Sequence, residues 1–200
     1  MVEGNARAIA LFGTSADPPT LAHGAILSQL ARRFDWVAVW ASDNPFKPQQ
    51  TAIEHRTCML QLAIASVNIP QANVGLHQEL SSPRTWETLC RARARWGPSA
   101  ALTLVVGSDL VGQIPQWYAS RQLLRAVRLL VVPRPGYPMT AHDFEAIRRL
   151  GGQPEAAPFQ VPAVSSTAYR EQQAAGAVAD PVEAYIRRHR LYACQNVAST

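Results

Sequence analysis

The chain has 200 residues, of which 48% are hydrophobic and 16% are charged, which is typical of a globular protein with one domain. No apolar run approaches the roughly 18 residues that span a bilayer, and the first residues do not resemble a secretory signal, so we expect a cytoplasmic protein without a membrane partner. Three cysteines without a CxxC pair indicate neither disulfides nor a zinc site. The net charge of +5 is carried by dispersed arginines, so we expect no nucleic-acid partner.

Short apolar runs alternate with stretches of helical period along most of the chain. The runs are predicted as buried strands at residues 8–12, 36–41, 102–106 and 127–132. The helical stretches are predicted at residues 21–34, 53–67 and 85–96. This alternation predicts an α/β fold, a doubly wound parallel sheet with helices on both faces. Ligands bind at the carboxyl ends of the strands in such sheets, so the loops after strands are the places to search.

The last quarter of the chain is predicted as a small helical extension. Residues 134–138 and 151–158 are rich in Pro and Gly and indicate turns or a linker. A short strand is predicted at 159–164, and helices are predicted at 167–176 and 181–190. Asp180 is the expected cap of the last helix, with Pro181 at its first position.

The segment after the first strand has the features of a phosphate site. Gly13 follows the strand and permits a close backbone approach, and the next helix N-terminus offers N–H groups to an anion. Thr20 and His23 are three residues apart and share a face of that helix. Read alone, this pair is a capping threonine and a half-buried histidine.

Similar polar residues follow two further strands. Lys47, the only lysine in the chain, comes after the second strand, and its compact ammonium suits phosphate. Gly107 and Asp109 follow the third long strand, where the carboxylate is suited to accept hydrogen bonds from a ribose. An ordinary capping role for this turn stays open.

A third polar group precedes the first helix of the C-terminal extension. Ser165, Ser166 and Thr167 are hydroxyl residues of the kind that cap helices. Arg170 is expected near the first turn, where a cation opposes the helix dipole and an anion would balance it. Together these groups are suited to hold a polyphosphate.

In order and spacing, these segments resemble the bacterial nicotinate-nucleotide adenylyltransferases of the nucleotidylyltransferase superfamily. The segments that carry the resemblance are 13–14 with 20–23, 44–48, 107–109, 134–137, 165–170 and 185–192. The resemblance runs from about Ala8 to Tyr192. It implies a Rossmann-like nucleotidylyltransferase domain over residues 1–200, in which residues 159–192 complete the ATP site.

The chain departs from the family pattern in its first loop. The family usually has H-x-G-H where this chain has Thr20, Leu21, Ala22 and His23. One residue is inserted between Gly13 and Pro18, where the family tends to have G-T-F-D-P. Phe46 stands where a histidine is common.

The resemblance implies adenylyl transfer from ATP to nicotinate mononucleotide, giving deamido-NAD and pyrophosphate. His23, Thr20, Lys47 and Arg170 are then the catalytic residues, and Mg²⁺ arrives bound to the phosphates of ATP. The ATP-binding residues that it implies are Gly13, Thr14, Ser15, His23, Gly107, Asp109, Ser165, Ser166, Thr167 and Arg170. Those implied for the pyridine nucleotide are Asn44, Lys47, Thr85, Trp117, Tyr118 and Arg134.

Three alternatives stay open on the sequence alone. One alternative is that the acceptor is nicotinamide mononucleotide or phosphopantetheine instead of nicotinate mononucleotide. Another is that the chain is an ATP-binding regulatory module without turnover. Trp117 also reads as ordinary core filling. A homo-oligomer is compatible with the sequence, which does not specify the oligomeric state.

Overall fold

A computed structural model of the chain describes residues 7–43, 50–172 and 176–192. Six parallel strands form one sheet in the order β3-β2-β1-β4-β5-β6. The strands are β1 Ala8–Thr14, β2 Trp36–Ala41, β3 Val74–Leu76, β4 Ala101–Gly107, β5 Arg128–Val132 and β6 Gln153–Ala156. The helices are α1 Leu21–Ala31, α2 Ile53–Ser66, α3 Thr85–Trp96, α4 Ser120–Ala126, α5 Ala141–Arg149, α6 Ser166–Gln172 and α7 Asp180–His189.

The strand order reverses between β1 and β4, because the chain builds outward first to β3 and then to β6. A doubly wound sheet binds its ligands at such a switch point, outside the carboxyl ends of the strands. The predicted α/β Rossmann-like fold is therefore confirmed. The loops after β1, β2 and β4 meet at this edge of the sheet.

The core lies on both faces of the sheet, as buried parallel strands require. In β1, Ile9 and Leu11 face one apolar cluster, whereas Ala10 and Phe12 face the other. A third cluster packs α7 against α2 through Met59, Val182 and Ile186. None of the helices in the described parts of the chain has both the length and the apolarity needed to cross a membrane.

The predictions for the C-terminal part of the sheet were wrong. Residues 159–164 form no strand, and β6 instead lies inside the stretch that was predicted as a linker. β6 is an edge strand that is mostly exposed and pairs only with β5, so it lacks the apolar pattern that marks a buried strand. Phe159 and Val161 still pack on the core, but from an irregular backbone.

Several helix boundaries also differ from the predictions. α1 ends at Ala31, and α6, which is described over Ser166–Gln172, begins at Ser166 rather than at residue 167. The N-cap of α7 is Ala179, so Asp180 is its first residue and Pro181 its second. The sequence patterns did not identify β3, α4 or α5, each of which has at most nine residues.

Candidate active site

The first loop of the sheet holds an imidazole between two threonines. The Thr20 backbone N–H donates to Nδ1 of His23 at 3.0 Å, and Nε2 of His23 lies 2.9 Å from Thr14 Oγ1. A backbone N–H can only donate, so Nδ1 is an acceptor and the proton of the neutral ring is on Nε2. The ring therefore presents an N–H group to the end of β1.

The environment of His23 keeps its imidazole neutral. Burial lowers its pKa from 6.5 to about 4, with a further contribution from the positive charge of Arg134. Loss of hydration penalises the imidazolium, and a nearby guanidinium repels it. His23 is consequently suited to donate a hydrogen bond from Nε2 rather than to carry a charge at neutral pH.

Gly13 has a packing role that differs from the close ligand approach predicted for it. A Cβ atom at this position would lie 2.6 Å from the indole of Trp40, the residue opposite Gly13 on β2. The N-terminus of α1 also differs from the prediction, because the first N–H group, that of Leu21, already donates to the Ala177 carbonyl at 2.9 Å. Helix α1 therefore offers an anion fewer free N–H groups than its sequence indicated.

Helix α6 is fastened to the β1–α1 loop. The Ser166 hydroxyl donates to the Pro18 carbonyl at 2.8 Å, and the Arg170 guanidinium donates to the Asp17 carbonyl. The structure thus brings Arg170 and His23, which are 147 positions apart, into contact with the same loop.

Ser165 and Arg170, two of the residues predicted for the ATP site, have defined places at helix α6. Ser165 caps α6, since its Oγ accepts from the Ala168 N–H at 3.1 Å. Arg170 is the fifth residue of α6, which is described over Ser166–Gln172, and so lies just beyond its first turn. That an anion balances Arg170 stays a prediction. Arg170 also contacts Thr167 Oγ1 at 3.4 Å.

The β1–α1 loop also contains a buried carboxylate, that of Asp17. Asp17 is only 4% exposed, and its two oxygens accept from the Tyr192 hydroxyl at 2.6 Å and from the Thr51 N–H at 3.4 Å. Burial, reinforced by the hydrogen bond to Asp17, raises the pKa of Tyr192, so the phenol stays a donor. Asp17 links the loop to the C-terminal end of the described chain.

The loop after β4 carries an ion pair. Arg134 donates to Asp109 Oδ2 at 2.7 Å, while Asp109 Oδ1 is buried and has no partner among the described residues. A Cβ atom at Gly107 would overlap with that Oδ1 and would lie 2.7 Å from Arg134 Cδ. The absence of a side chain at Gly107 therefore lets the carboxylate and the arginine stem lie against the end of β4.

Arg134 is held by the turn that follows β5. Tyr137 N–H donates to the Arg134 carbonyl at 3.1 Å, and Gly136 has φ +81°, as expected for a type II turn with Pro135 before the glycine. The Ser108 hydroxyl bridges the loops, accepting from the Arg134 N–H at 2.9 Å and donating to the Tyr137 carbonyl at 2.7 Å. The turn thus fixes the backbone of Arg134 beside the end of β4.

The residues predicted for a pyridine nucleotide lie in two neighbouring segments. Thr85 is the first residue of α3, whose start has no side-chain cap, and Tyr118 follows the 3-10 segment Ser108–Gln116. The Arg84 guanidinium lies over the Tyr118 ring, 4.5 Å from its centroid, and joins the two segments. Trp117 is partly buried and packs on the core, which accords with a packing role for at least part of its indole.

Asn44, Phe46 and Lys47 lie outside the described residues. The roles assigned to them therefore rest on the sequence.

Sequence reasoning missed a buried arginine that joins the loops of the site. Arg56 is 1% exposed. It donates to the carbonyls of Thr51, Ser15 and Ser42 at 2.7, 3.1 and 2.6 Å, and to Asp43 Oδ1 at 3.0 Å. The sequence does carry one signal for Arg56, because it falls on the apolar stripe of α2 with Met59, Leu60 and Ala63. A guanidinium buried at such a position needs several acceptors nearby.

Gln78 was missed as well. Its amide pairs with both backbone groups of Ala41, at 3.0 and 2.8 Å, and so fixes the end of β2. The sequence carries no signal for this contact, because the two residues are 37 positions apart and meet only when the chain between them folds back.

The fold defines an α/β protein whose candidate ligand site lies at the switch point of a doubly wound parallel sheet. A family model described as cytidylyltransferase-like matches residues 11–172. A probable nicotinate-nucleotide adenylyltransferase from Synechocystis is 44% identical, covering 92% of this chain and 98% of the relative. A protein of the same description from Chlorobaculum parvum is 32% identical, covering 91% and 97%. The chain belongs to the cytidylyltransferase-like family and, within it, to the nicotinate-nucleotide adenylyltransferases.

Solved structures agree with the fold. The chain superposes on Plasmodium falciparum nicotinic acid mononucleotide adenylyltransferase complexed with NaAD with a TM-score of 0.77 at 19% identity, covering 93% of this chain and 97% of that one. The same enzyme complexed with APC gives a TM-score of 0.75 at 20% identity, with the same coverage.

Proposed function

We propose that the protein transfers the adenylyl group of ATP to nicotinate mononucleotide, giving deamido-NAD and pyrophosphate. The observation that carries the proposal is the β1–α1 loop, on which His23 and Arg170 are held by hydrogen bonds at the switch point of the sheet. The 5′-phosphate of the mononucleotide attacks the α-phosphorus of ATP, and the bond to the β-phosphate oxygen breaks. The nucleophile is already an anion, so the protein has to align two phosphates and offset their charge.

His23 serves as the hydrogen-bond donor to the α-phosphate. Its Nε2–H now points at Thr14 Oγ1, and a phosphate oxygen that arrives beside Thr14 receives this donor as negative charge builds. The Thr20 N–H fixes the opposite nitrogen as an acceptor, so the donor is oriented before substrate binds. Such preorganised donors lower the barrier without reorganisation during the reaction.

Arg170 and Lys47 offset the charge of the triphosphate, with Thr167 beside Arg170. The bond from Arg170 to the Asp17 carbonyl uses one of five guanidinium N–H groups, which leaves others for phosphate oxygens. Ser166 donates its hydroxyl proton to Pro18, so we assign it the positioning of α6. In this proposal residues 1–200 form one domain, and residues 159–192 complete its ATP site.

Mg²⁺ is part of the proposal as an ion that arrives with ATP. The Asp17 oxygens already accept from Tyr192 and Thr51, and one Asp109 oxygen accepts from Arg134. A site with so few open carboxylate oxygens fits an ion held mainly by phosphates and water. When bound with ATP, Mg²⁺ would neutralise part of the charge of the phosphates.

The open oxygen of Asp109 is suited to a ribose hydroxyl, since a buried acceptor without a partner gains most from a ligand donor. For the second substrate we assign the exposed part of the Trp117 indole to the pyridine ring. The backbone N–H groups of Thr85 and Tyr118 then face its carboxylate, and Asn44 and Arg134 contribute to the same nucleotide. Because these substrates are metabolites of the cytoplasm, we also place the protein there.

The test is pyrophosphate release from ATP and Mg²⁺ with each acceptor in turn. The proposal predicts release with nicotinate mononucleotide well above that with nicotinamide mononucleotide or phosphopantetheine. A preference for either of the other acceptors would assign the protein to a different adenylyltransferase reaction. ATP binding without pyrophosphate release from any of the three would indicate a regulatory module.

A further inference from the structure

Arg84 lies where the two segments assigned to the pyridine nucleotide meet. It immediately precedes Thr85 at the start of α3, and its guanidinium stacks on the ring of Tyr118, 4.5 Å from the centroid. The Tyr118 ring itself is 57% exposed. A guanidinium that stacks by its face keeps its N–H edge available for another partner.

The neighbours of Arg84 orient it without using up its donors. Its Nη1 lies 3.4 Å from Glu87 Oε1, while Glu87 Oε2 accepts a much shorter hydrogen bond, 2.6 Å, from Ser82 Oγ. Ser82 Oγ also accepts from the Arg84 N–H at 3.3 Å. Ser82 therefore holds the backbone of Arg84, whereas Glu87 contacts one end of its guanidinium, and this long contact leaves most of the five N–H groups unpaired.

We propose that Arg84 is a specificity-determining residue that selects a pyridine carboxylate over the corresponding carboxamide. This rests on the proposed function, in which the N–H groups of Thr85 and Tyr118 face that substituent. The planar fork of a guanidinium matches the two oxygens of a carboxylate. A carboxamide offers only one oxygen, and its NH₂ group would face the donors of Arg84 without an acceptor.

The test compares Arg84→Gln and Arg84→Lys with wild type on nicotinate mononucleotide and nicotinamide mononucleotide. Arg95→Gln is the matched control, since it removes the same charge from the far end of α3, where Arg95 lies 3.7 Å from Glu79. For Arg84→Gln we expect about a tenfold rise in KM for the acid, from loss of a charged hydrogen bond at an exposed site, with kcat and the KM for the amide within about threefold of wild type. Arg84→Lys keeps the charge and loses the fork, so it should recover part of the preference. Arg95→Gln should leave the acid-to-amide ratio of kcat/KM unchanged.

An unchanged acid-to-amide ratio in folded Arg84→Gln and Arg84→Lys would overturn the assignment of Arg84 and leave the proposed function intact. An equal loss for both substrates would also overturn it, because that result indicates a structural role. If wild type turned over neither mononucleotide, the proposed function would fail. Equilibrium titration of the two mononucleotides against wild type and Arg84→Gln would then test Arg84 without turnover, and equal affinities for acid and amide in wild type would contradict it.

Discussion

Nε2 of His23 lies 2.9 Å from Thr14 Oγ1, and this contact aims the one proton of the neutral ring at the carboxyl end of β1. The orientation is fixed by a backbone group, the Thr20 N–H, rather than by a carboxylate. A carboxylate partner would favour the imidazolium and raise the pKa of His23, whereas here burial and the charge of Arg134 lower it. The loop therefore holds His23 as a neutral hydrogen-bond donor.

Replacing His23 by Ala should lower kcat by roughly 10²–10³, the usual cost of losing one preorganised donor to developing charge. The KM for ATP should change much less, because the donor acts mainly as charge builds. Steady-state pyrophosphate release measures both constants, and circular dichroism checks that the variant is folded. Turnover close to wild type in a folded His23→Ala protein would remove His23 from the reaction.

Protein stability should depend on the protonation of His23 at mildly acidic pH. Its pKa is about 4 in the folded protein, whereas a histidine exposed to water has a pKa of 6.5, so between these values the unfolded chain binds a proton that the folded one does not. Stability then falls as the pH drops from about 6.5 to 4, by at most about 3 kcal/mol. Denaturant unfolding at pH 7 and pH 4.5 should show this loss in wild type and a smaller one in His23→Gln. Equal losses in the two proteins would show that the pKa of His23 is not lowered in the folded protein.

Arg170→Gln should raise the KM for ATP by tenfold or more, since it removes a charge placed against the triphosphate and a contact that holds the β1–α1 loop. Arg187→Gln is a suitable control, because Arg187 is exposed and pairs only with Glu183 among the contacts described. Its KM should stay within twofold of wild type. An ATP KM for Arg170→Gln equal to that of the control would place Arg170 outside the ATP site.

Gly13→Ala should destabilise the fold by about 1–3 kcal/mol, because the new methyl group would lie 2.6 Å from the Trp40 indole. Urea unfolding measures the loss. The double variant Gly13→Ala with Trp40→Leu should cost less than the sum of the two single variants, since the smaller side chain removes the clash. Strict additivity would mean that Gly13 is needed for a reason other than Trp40.

The sequence predicted the parts of the fold that bury apolar residues with a clear period. β2 and α3 have the predicted bounds, Trp36–Ala41 and Thr85–Trp96, because each lies between well-marked turns. β6 was missed because an edge strand with the sequence Gln-Pro-Glu-Ala buries little and carries no apolar alternation. The period of apolar residues in a sequence reflects the burial of one face, so an element that buries few residues cannot be predicted from it.

For the site, the sequence singled out residues by type and spacing, such as His23 and Arg170, and the structure places both in contact with the β1–α1 loop. It could not show that the Ser166 hydroxyl is used by Pro18, or that the N–H of Leu21 is used by Ala177. Arg56 was missed for a similar reason, since its four acceptors come from two loops, the one after β1 and the one after β2. Contacts of this kind depend on tertiary structure, which local sequence patterns do not encode.

The central claim is that the adenylyl group passes directly from ATP to a pyridine mononucleotide. The most direct test incubates the protein with Mg²⁺, nicotinate mononucleotide and ATP labelled either at the α-phosphate or at the γ-phosphate, and separates the products. We predict that the α-label appears in the dinucleotide and the γ-label in pyrophosphate, in equal amounts. Release of the γ-label as inorganic phosphate, or an α-label that stays in AMP or ATP, would contradict the account.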